Sequence, residues 1–550
     1  MEKIRILWDQ RIPMRDDVEI SADVYFPEDD GKFPALVIRT PYGKGESGNI
    51  EQGRYFSDNG YVAVICDVRG RGDSDGTFVP YVNEGRDGHD VIEWAARQEW
   101  CTGSVGTLGA SYLARIQWTT ALENPPHLKT MISTVSPSDQ FVESPTGVPD
   151  PIHISWSFLV SGRSLQNVDY VDWEKVYRHL PLIDMERATG RAITGWKESF
   201  DHTTFDDYWK QTAYQTRFSE IDLPVMHISG WYDDEQIGTP MNFHGMRQHA
   251  KTESARENQK LVMGPWPHGI NKSQTLGNID FGPTSLIDLL DLEKRWFDRW
   301  LKGDRNSIDD ENRVSIFVMG ENRWRYEKDW PLPDTDFVPY YLTSGGRANS
   351  RFGDGKLVDV VHDMGSGKDS YTYDPENPFP FITEQTSAQI GGPDDYAAVE
   401  RRDDVLVYTS EPLKESLEVT GPVKAEIYVS SDAEDTDFAV KLLDVWPNGF
   451  AQRLCDGVVR ARYREGMERE IPMEPGKVYS MTVDMWNTSQ VFRPGHRIRV
   501  EVASSAFPKY SRNQNVWEKL GRSDKVKIAD QTLYHGKDYP SKVILPIIRK

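Results

Sequence analysis

The chain has 550 residues, of which 86 are acidic and 64 basic, and its formal net charge is -22 at pH 7. Such an acidic surface repels phosphate backbones and anionic lipids, which argues against nucleic acid or a membrane as a partner. The cysteines Cys66, Cys101 and Cys455 are too far apart in sequence for a disulfide framework or a short-spaced metal site.

The chain shows no targeting or membrane segment. No window approaches the roughly 18 consecutive apolar residues of a membrane-spanning helix. The opening stretch MEKIRILWDQRIPMRDD is charged throughout, unlike a secretion signal. Together with the few cysteines, this predicts a cytoplasmic protein. At roughly 100 to 200 residues per domain, the chain is long enough for several compact units.

The first part of the chain predicts a parallel β-sheet. The apolar runs FPALVIRT and GYVAVICDV are short and bounded by glycine, proline or charge, as expected for strands buried on both faces. A helical pattern follows in GRDGHDVIEWAARQEW, and SVGTLGAS reads as another strand. Between them, DVRGRGDSDG lacks the spacing of a phosphate loop, and Asp73 and Asp75 would repel phosphate. This stretch is predicted to be a structured turn.

The middle of the chain changes character after about Ser136. Tryptophan-bearing, helix-compatible segments predict a helical insertion that could act as a lid, and it ends near IDLPVMHISG, where a strand pattern returns. The segment SLIDLLDLEKRWFDRWLKG predicts a long amphipathic helix that ends near Gly303. The side chains expected to face the core from this helix are Leu286, Leu289, Leu290, Trp296, Phe297 and Trp300.

From about Val314 onward the pattern is that of short β-strands. Segments such as SIFVMG, KAEIYVSS, DFAVKLLDV and HRIRVEVASS are separated by turn residues, which predicts a sandwich or jelly roll. The glycine- and charge-rich stretch from Gly345 to Gly367 predicts a long loop or linker.

Ser111 stands between an apolar run and a helical pattern, in GTLGASYLARIQW. A nucleophilic serine in a strand-to-helix turn is crowded and favours small neighbours, in the pattern G-x-S-x-G. Gly109 fits this pattern, whereas Leu113 occupies the second glycine position. On the motif alone, a nucleophile and a simple cap of the following helix are equally supported for Ser111.

An acid and a histidine follow in the order that this fold requires. Asp233 comes after the strand-like run PVMHISG, and His268 comes after KLVMG, in a loop rich in proline and glycine. His227 lies inside an apolar strand, which indicates a core residue. For the acid, Asp234 competes with Asp233, and Asp233 could instead cap the following helix.

Taken together, GTLGASYLARIQW, GWYDD and GPWPHG resemble the cocaine esterase / X-Pro dipeptidyl-peptidase superfamily of serine hydrolases, which includes the α-amino-acid ester hydrolases. The family spells its serine motif G-x-S-Y-x-G, so that only Ala114 departs from it. RTPYGK, DVRGRGDSDG and FRPGHRIRVEVASSAFP match as well, and the resemblance covers nearly the whole chain.

The resemblance implies an α/β-hydrolase, a mostly parallel sheet flanked by helices, with an inserted helical cap and a C-terminal jelly roll. The active site would lie where the three meet. The expected divisions are residues 1–145 and 221–310 for the hydrolase domain, 146–220 for the cap and 311–550 for the jelly roll.

The resemblance also assigns roles. It makes Ser111 the nucleophile, His268 the general base and then acid, and Asp233 the group that holds the imidazole. The oxyanion donors would be the backbone N–H of Tyr112 and the hydroxyl of Tyr42. The resemblance implies neither a cofactor nor a metal.

The expected substrate is a small-molecule ester or amide. The α-amino-acid ester hydrolases hold the substrate ammonium with carboxylates just after the triad aspartate, and the matching pair here is Glu235-Gln236. We therefore favour an acyl donor with a free α-amino group. The alternative is that Glu235 caps a helix and the pocket accepts neutral esters.

Several further features of the site stay open at this stage. Trp156 and Trp231 are candidate walls of the substrate pocket, although large aromatics are more often core residues. A third carboxylate of the ammonium site falls among Asp139, Glu143 and Asp150 in the cap. The alternative functions are an X-Pro dipeptidyl-peptidase and a non-catalytic binding protein on a hydrolase scaffold. A homo-oligomer is compatible with the sequence.

Overall fold

The computed structural model describes residues 5–143, 150–360 and 367–549. Within these ranges a ten-stranded mixed sheet forms the first unit and a second, larger sheet forms the C-terminal unit. The strands up to residue 327 are β1 (Arg5–Pro13), β2 (Glu19–Phe26), β3 (Phe33–Thr40), β4 (Val62–Asp67), β5 (Cys101–Ala110), β6 (Leu128–Thr134), β7 (Val225–Tyr232), β8 (Gln259–Pro267), β9 (Thr275–Leu276), β10 (Ile279–Asp280), β11 (Val314–Val318) and β12 (Arg323–Glu327).

The first sheet has the strand order β1-β2-β4-β3-β5-β6-β7-β8-β11-β12. All neighbours from β4 to β11 in this order run parallel, and antiparallel strands close both edges. β4 and β7 are buried along their whole length, as continuous apolar runs covered on both faces require. The predicted parallel α/β architecture is confirmed.

Helices cover this sheet and fill the connection between β6 and β7. The α-helices are α1 (Ser47–Asp58), α2 (Glu84–Ala96), α3 (Tyr112–Leu122), α4 (Gln140–Glu143), α5 (Ile154–Leu159), α6 (Trp173–Tyr177), α7 (Met185–Thr189), α8 (Trp196–Ser199), α9 (Asp207–Lys210), α10 (Gly238–His249), α11 (Glu253–Glu257) and α12 (Leu289–Phe297). No described helix is long and apolar enough to cross a lipid bilayer.

We call the segment between β6 and β7 the helical insertion. In its described part no α-helix exceeds six residues. The apolar side chains of the insertion share one buried cluster with residues of the C-terminal unit, including Phe381, Tyr463 and Phe507. The insertion is therefore stabilised by packing against both units rather than by its own helices.

The C-terminal unit consists of strands around a core of valine, isoleucine, leucine and tyrosine side chains. Its strands are β13 (Thr335–Thr343), β14 (Lys356–Val358), β15 (Gly367–Tyr373), β16 (Leu406–Thr409), β17 (Leu417–Ser431), β18 (Asp437–Val445), β19 (Ala451–Arg460), β20 (Tyr479–Phe492), β21 (Arg497–Ala503), β22 (Ala529–His535) and β23 (Lys542–Ile548). The predicted β-rich domain is confirmed.

Two expectations about the end of the first unit need correction. β11 and β12, which the sequence assigned to the C-terminal unit, extend the first sheet, because β11 pairs parallel with β8. In addition, the stretch from Gly345 to Gly367 is no simple linker, because its described part contains β14, which pairs with β13 and β16.

The predicted long amphipathic helix is shorter than expected. It begins at Leu289, where the Asp288 side chain accepts a hydrogen bond from the Asp291 backbone N–H and caps it. Leu286 precedes the helix in an extended conformation, and Leu290 is exposed. A π-helical turn follows α12 and ends at Gly303, as predicted.

His227 confirms its assignment to the core. Its ring stacks on Trp118, and Nε2 lies 2.9 Å from the side-chain oxygen of Gln259. Burial, only partly offset by this hydrogen bond, lowers the pKa of His227 to about 4. The ring is therefore neutral at physiological pH.

Candidate active site

Ser111 occupies a strained turn between β5 and α3. Its backbone has φ 61° and ψ -126°, a conformation that side-chain-bearing residues rarely adopt. The Ser111 N–H donates to the Thr134 carbonyl at 2.9 Å, and the Ser111 carbonyl accepts from Ala114 at 2.8 Å. Tyr112 is the first helical residue, so its N–H has no acceptor within the helix.

The departure from the G-x-S-x-G pattern has a direct explanation. Gly109 has φ 155°, and a Cβ atom placed on it would lie 2.5 Å from the Leu113 Cβ. The turn therefore needs glycine before the serine and tolerates leucine after it, because Leu113 packs over the space that Gly109 leaves. Ala114 is fully buried beneath the turn.

Asp233 and His268 form a hydrogen-bonded pair at the ends of β7 and β8. The His268 Nδ1 lies 2.8 Å from the Asp233 Oδ1, and the Asp233 side chain is fully buried. Two further donors fix the Asp233 carboxylate: the Ser229 hydroxyl at 2.7 Å and the Glu235 backbone N–H at 3.1 Å. With Nδ1 bound to Asp233, Nε2 is the ring nitrogen left for a neighbouring hydroxyl.

Three carboxylates surround the His268 ring. Asp234 and Glu235 each lie 3.8 Å from Nδ1, beyond Asp233. Burial disfavours the charged ring, but Glu235 and Asp233 outweigh it and raise the pKa of His268 well above its ordinary value of 6.5. A protonated His268 is therefore favoured in the resting protein at neutral pH.

Ser111 and His268 line the same cavity, which has a volume of about 210 Å³ and which we call the reaction cavity. All three parts of the protein contribute to it: the first unit, the helical insertion and the C-terminal unit through Ser387. The expected residues among its walls are Ser111, Tyr112, Trp156, Glu235 and His268. Asp234 also lines it.

Tyr42 lies beside this cavity. Its hydroxyl accepts a hydrogen bond from the Trp156 indole N–H at 3.0 Å and interacts with the Ser111 hydroxyl. Burial raises the pKa of Tyr42 to about 12, so that the phenol stays protonated at neutral pH. Because Trp156 donates to the oxygen, the phenolic proton remains for a second partner.

The turn in DVRGRGDSDG holds the loop that carries Tyr42. The Asp67 carboxylate accepts the backbone N–H of Lys44 at 2.7 Å and that of Asp73 at 3.0 Å. A Cβ on Gly72 would collide with this carboxylate at 2.1 Å, which explains the glycine. The structured-turn prediction agrees with these contacts, whereas the supporting role of Asp67 carried no sequence signal of its own.

The Tyr112 side chain is fully engaged elsewhere. Its hydroxyl donates to Glu84 at 2.8 Å, and Glu84 in turn pairs with Arg39. The Tyr112 ring stacks on Tyr81 and on Trp156. Tyr112 can therefore contribute to chemistry at Ser111 through its backbone N–H only.

One expected substrate contact lies elsewhere. Trp231 is a core residue: its indole donates to the Phe317 carbonyl at 2.7 Å and packs against Trp330. Gln236 is also turned away from the reaction cavity, because its side chain exchanges hydrogen bonds with Asn487 of β20. Of the pair Glu235-Gln236, only Glu235 reaches the cavity.

The candidates for a third carboxylate have different surroundings. Asp139 accepts the backbone N–H groups of Tyr214 and Gln215, a structural role. Asp150 is buried at the start of a short 3-10 helix, and the Glu143 side chain lies outside the described part of the chain. Asp234, which the sequence offered only as an alternative to Asp233, lines the cavity.

His153 of the insertion pairs with Asp234. The His153 Nε2 lies 3.3 Å from the Asp234 carboxylate, and both side chains line the reaction cavity. Despite burial, which acts in the opposite direction, His153 and His268 lower the pKa of Asp234 and keep it charged. His153 was not predicted, because nothing in its local sequence distinguishes it from other cap residues.

The same position holds a cluster of potential metal ligands. Asp233, Asp234 and His268 offer ligand atoms within 4.8 Å of one another, the only such group among the described residues. The hydrogen bonds of Asp233 to His268, Ser229 and the backbone already account for its carboxylate oxygens. The arrangement is that of an acid orienting an imidazole rather than that of a ligand set.

Comparisons with known proteins identify relatives for both units. Residues 16–270 match the X-Pro dipeptidyl-peptidase (S15 family) pattern, and residues 306–544 match the X-Pro dipeptidyl-peptidase C-terminal non-catalytic domain. Cocaine esterase of Rhodococcus sp. (strain MB1 Bresler) is 35% identical over 573 aligned positions, which cover 98% of this chain and 98% of that protein.

Solved structures share the fold over the whole chain. An aminopeptidase from the marine sediment archaeon Thaumarchaeota archaeon has a TM-score of 0.88 and 25% identity, with 100% of this chain and 96% of that chain covered. An α-amino acid ester hydrolase has a TM-score of 0.86 and 24% identity, with 99% and 96% covered. The second likeness is one of fold.

The Gly109–Leu113 contact predicts a local cost of adding one methyl group. Gly109→Ala is expected to destabilise the protein by about 2 to 4 kcal/mol, because the new Cβ meets the Leu113 Cβ in a backbone conformation that disfavours alanine. Calorimetric unfolding should show a melting temperature lowered by several degrees. The control is Gly48→Ala, where the added Cβ meets open space on α1. Equal stability of the two variants would contradict this account of the turn.

Proposed function

Because the chain belongs to the S15 family of X-Pro dipeptidyl-peptidases and cocaine esterase, we propose that it is a serine hydrolase that cleaves carboxylic esters through an acyl-enzyme. The observation that carries the proposal is the 2.8 Å contact between Asp233 and His268 at a cavity that Ser111 also lines. Ser111 would be the nucleophile, His268 the base, and Asp233 the group that orients the imidazole.

In the first step the Ser111 Oγ attacks the carbonyl carbon of the ester while Nε2 of a neutral His268 takes the hydroxyl proton. The carbonyl π electrons move to oxygen, and a tetrahedral intermediate forms. When it collapses, the bond to the alcohol oxygen breaks and His268 returns the proton to the departing alcohol. Water then attacks the acyl-enzyme in the same way and releases the acid.

The negative oxygen of the intermediate needs donors that are already in position. The Tyr112 backbone N–H at the start of α3 and the Tyr42 hydroxyl are the proposed pair. Two features support Tyr42: its pKa of about 12 keeps the proton in place, and Trp156 orients the oxygen. Loss of one such donor typically lowers turnover by about 10² to 10³.

We infer that the preferred acyl group carries an α-amino group. Glu235 lines the reaction cavity with 13% of its side chain exposed, and Asp234 beside it is paired with His153. A partly dry carboxylate favours a nearby cation, so that Glu235 offers a site for an ammonium group. Because the second member of the pair is Gln236, a neutral amide that faces Asn487, this site has one carboxylate fewer than the family pattern.

A dipeptidyl-peptidase acting on X-Pro peptides is the second candidate. It is supported by the S15 family pattern over residues 16–270, and the same Glu235 would hold the free N-terminus of a peptide. The proposed chemistry at Ser111 is unchanged. Hydrolysis of Ala-Pro-p-nitroanilide at a rate similar to that of phenylglycine methyl ester would favour the peptidase.

The nucleophile is tested with a fluorophosphonate probe. The intact protein should be labelled at Ser111 and should hydrolyse p-nitrophenyl acetate, because a base-activated serine attacks both reagents. Ser111→Ala should abolish labelling and lower hydrolysis by at least 10³-fold. Ser104→Ala, at a half-buried position in β5 remote from the turn, is the matched control. Labelling that persists in Ser111→Ala would refute the mechanism, and an unreactive intact protein would favour a binding role.

The raised pKa of His268 predicts how activity depends on pH. Only the neutral ring can accept the serine proton. We therefore expect kcat/KM for a neutral ester to rise with pH and to level off only well above pH 6.5. Glu235→Gln removes a negative charge that favours the imidazolium. It should therefore move the rising limb to lower pH by about one unit or more. Glu253→Gln, on the exposed surface of α11, should not move it. A limb unchanged by Glu235→Gln would show that Glu235 does not act on this histidine.

The ammonium site is tested by comparing two esters that differ only in the α-amino group. Glu235→Gln should raise KM for phenylglycine methyl ester at least tenfold, because the favourable charge pair is lost. It should change KM for phenylacetate methyl ester less than threefold at the same pH. Both esters are measured at one pH of about 7 for each variant, where most of the substrate amine is protonated, and the ratio of the two KM values cancels the state of His268. Equal changes for both esters would eliminate the ammonium role.

A further inference from the structure

A second cavity of about 300 Å³ adjoins the reaction cavity. The two cavities share a wall, formed by residues Pro80, Trp156, Ser157, Ile193 and Thr194. On the far side of this wall the second cavity is bounded by the turn after β4 and by residues 160–163 of the helical insertion. Because the two cavities adjoin, a substrate group that extends across the shared wall is not limited by the size of the reaction cavity alone.

The second cavity is lined by polar and apolar surface in about equal shares, and rings and aliphatic side chains supply the apolar share. Phe78, Trp156 and Pro80 are half-buried, which leaves part of each ring exposed to the space, and Val160 and Ile193 complete the base. The polar groups that line it are hydroxyls and the rim residue Arg163, while no carboxylate occurs among its described lining residues. Concave apolar surface of this kind binds uncharged hydrocarbon groups.

Internal hydrogen bonds hold the walls of the second cavity in place. The buried Arg71 guanidinium donates to the Pro41 carbonyl at 2.7 Å and to the Val160 carbonyl at 2.9 Å, linking the loop that carries Tyr42 to the insertion. The Gly72 N–H donates to the Arg163 carbonyl at 2.7 Å. These contacts join both sides of the cavity, so its shape does not depend on a bound molecule.

The chemistry at Ser111 decides which half of an ester reaches the second cavity. The departing alcohol takes its proton from His268 and must lie beside that ring. The described residues lining the second cavity include neither His268 nor Glu235, and Trp156, whose indole binds the Tyr42 hydroxyl, lines both cavities. The group that extends in this direction is the acyl group.

We propose that the second cavity is an acyl-chain subsite that takes extended apolar acyl groups, such as arylalkyl or branched alkyl chains, past Trp156. This assignment rests on the proposed serine hydrolase function. It also agrees with an α-amino group near Glu235, because the amino group and the side chain occupy different directions at the same α-carbon. The substrate class is therefore an ester of a long-chain apolar acid with a small alcohol.

The test fills the cavity from its rim. Ser161→Phe introduces a ring at a half-buried position that lines only the second cavity, and Thr77→Trp does so from the opposite, exposed side. For the intact protein, kcat/KM for p-nitrophenyl 4-phenylbutyrate should exceed that for p-nitrophenyl acetate at least tenfold. Each variant should lower this ratio by at least tenfold. Ser164→Phe adds the same ring at an exposed position close by that does not line the cavity.

A second ester series separates the two halves of the substrate. The ratio of kcat/KM for 3-phenylpropyl acetate over methyl acetate should change less than twofold in both variants, because the alcohol lies beside His268. A fall in the alcohol ratio, or an equal fall for short and long acyl esters in a variant with unchanged melting temperature, would overturn the subsite. Hydrolysis of acetate without any acyl-chain preference in the intact protein would overturn it as well.

Failure of the underlying function has a different signature. If the intact protein hydrolyses no ester and the fluorophosphonate probe leaves Ser111 unlabelled, the proposed function falls and the subsite falls with it. If the probe labels Ser111 but chain length has no effect, only the subsite is refuted.

Discussion

The Asp233 carboxylate is the group on which the geometry of the site depends. It is fully buried, yet it accepts hydrogen bonds from the His268 ring, the Ser229 hydroxyl and the Glu235 backbone N–H. A buried charge is tolerated only when such donors satisfy it, and here each donor fixes a different part of the site. One bond orients the imidazole at the end of β8, and another sets the path of the loop that brings Glu235 to the cavity.

The loop after β7 also lies at a contact between the two units of the protein. Gln236 exchanges hydrogen bonds with Asn487, and the Tyr232 hydroxyl accepts from the Gln452 side chain. Trp486, directly before Asn487, has φ 65°, a strained conformation that turns β20 at this contact. The C-terminal unit therefore contacts the loop after β7 directly, although the family domain that it matches is described as non-catalytic.

The sequence was sufficient for features that follow from a strict pattern. Buried parallel strands appear in the sequence as continuous apolar runs. Residues that follow such strands lie at one edge of the sheet, so Ser111, Asp233 and His268 could be predicted to lie close together. The family membership and the two-unit fold were predicted correctly from motifs in the right order. β11 and β12 were grouped with the C-terminal strands, because a short apolar strand looks the same in either sheet, whereas they pair with the first sheet.

Side-chain direction near the site was less predictable. Glu235 and Gln236 are neighbours in sequence, and only the position of β20 decides that one faces the cavity and the other faces Asn487. Trp231 was ambiguous for the same reason, since an aromatic side chain at the end of a strand can line a pocket or fill a core. His153 could not be predicted, because only the folded path of the insertion places it beside Asp234.

The composition of the helical insertion has a consequence for how the protein matures during synthesis. Its described helices are too short to persist alone. The apolar cluster that stabilises them includes Phe381 and Phe507, which are synthesised much later than the insertion. The first sheet can form while translation continues, but the core of the helical insertion must wait for the C-terminal unit. A nascent or truncated chain would thus carry Ser111 in an open, unfinished cleft, and release from the ribosome would complete the site.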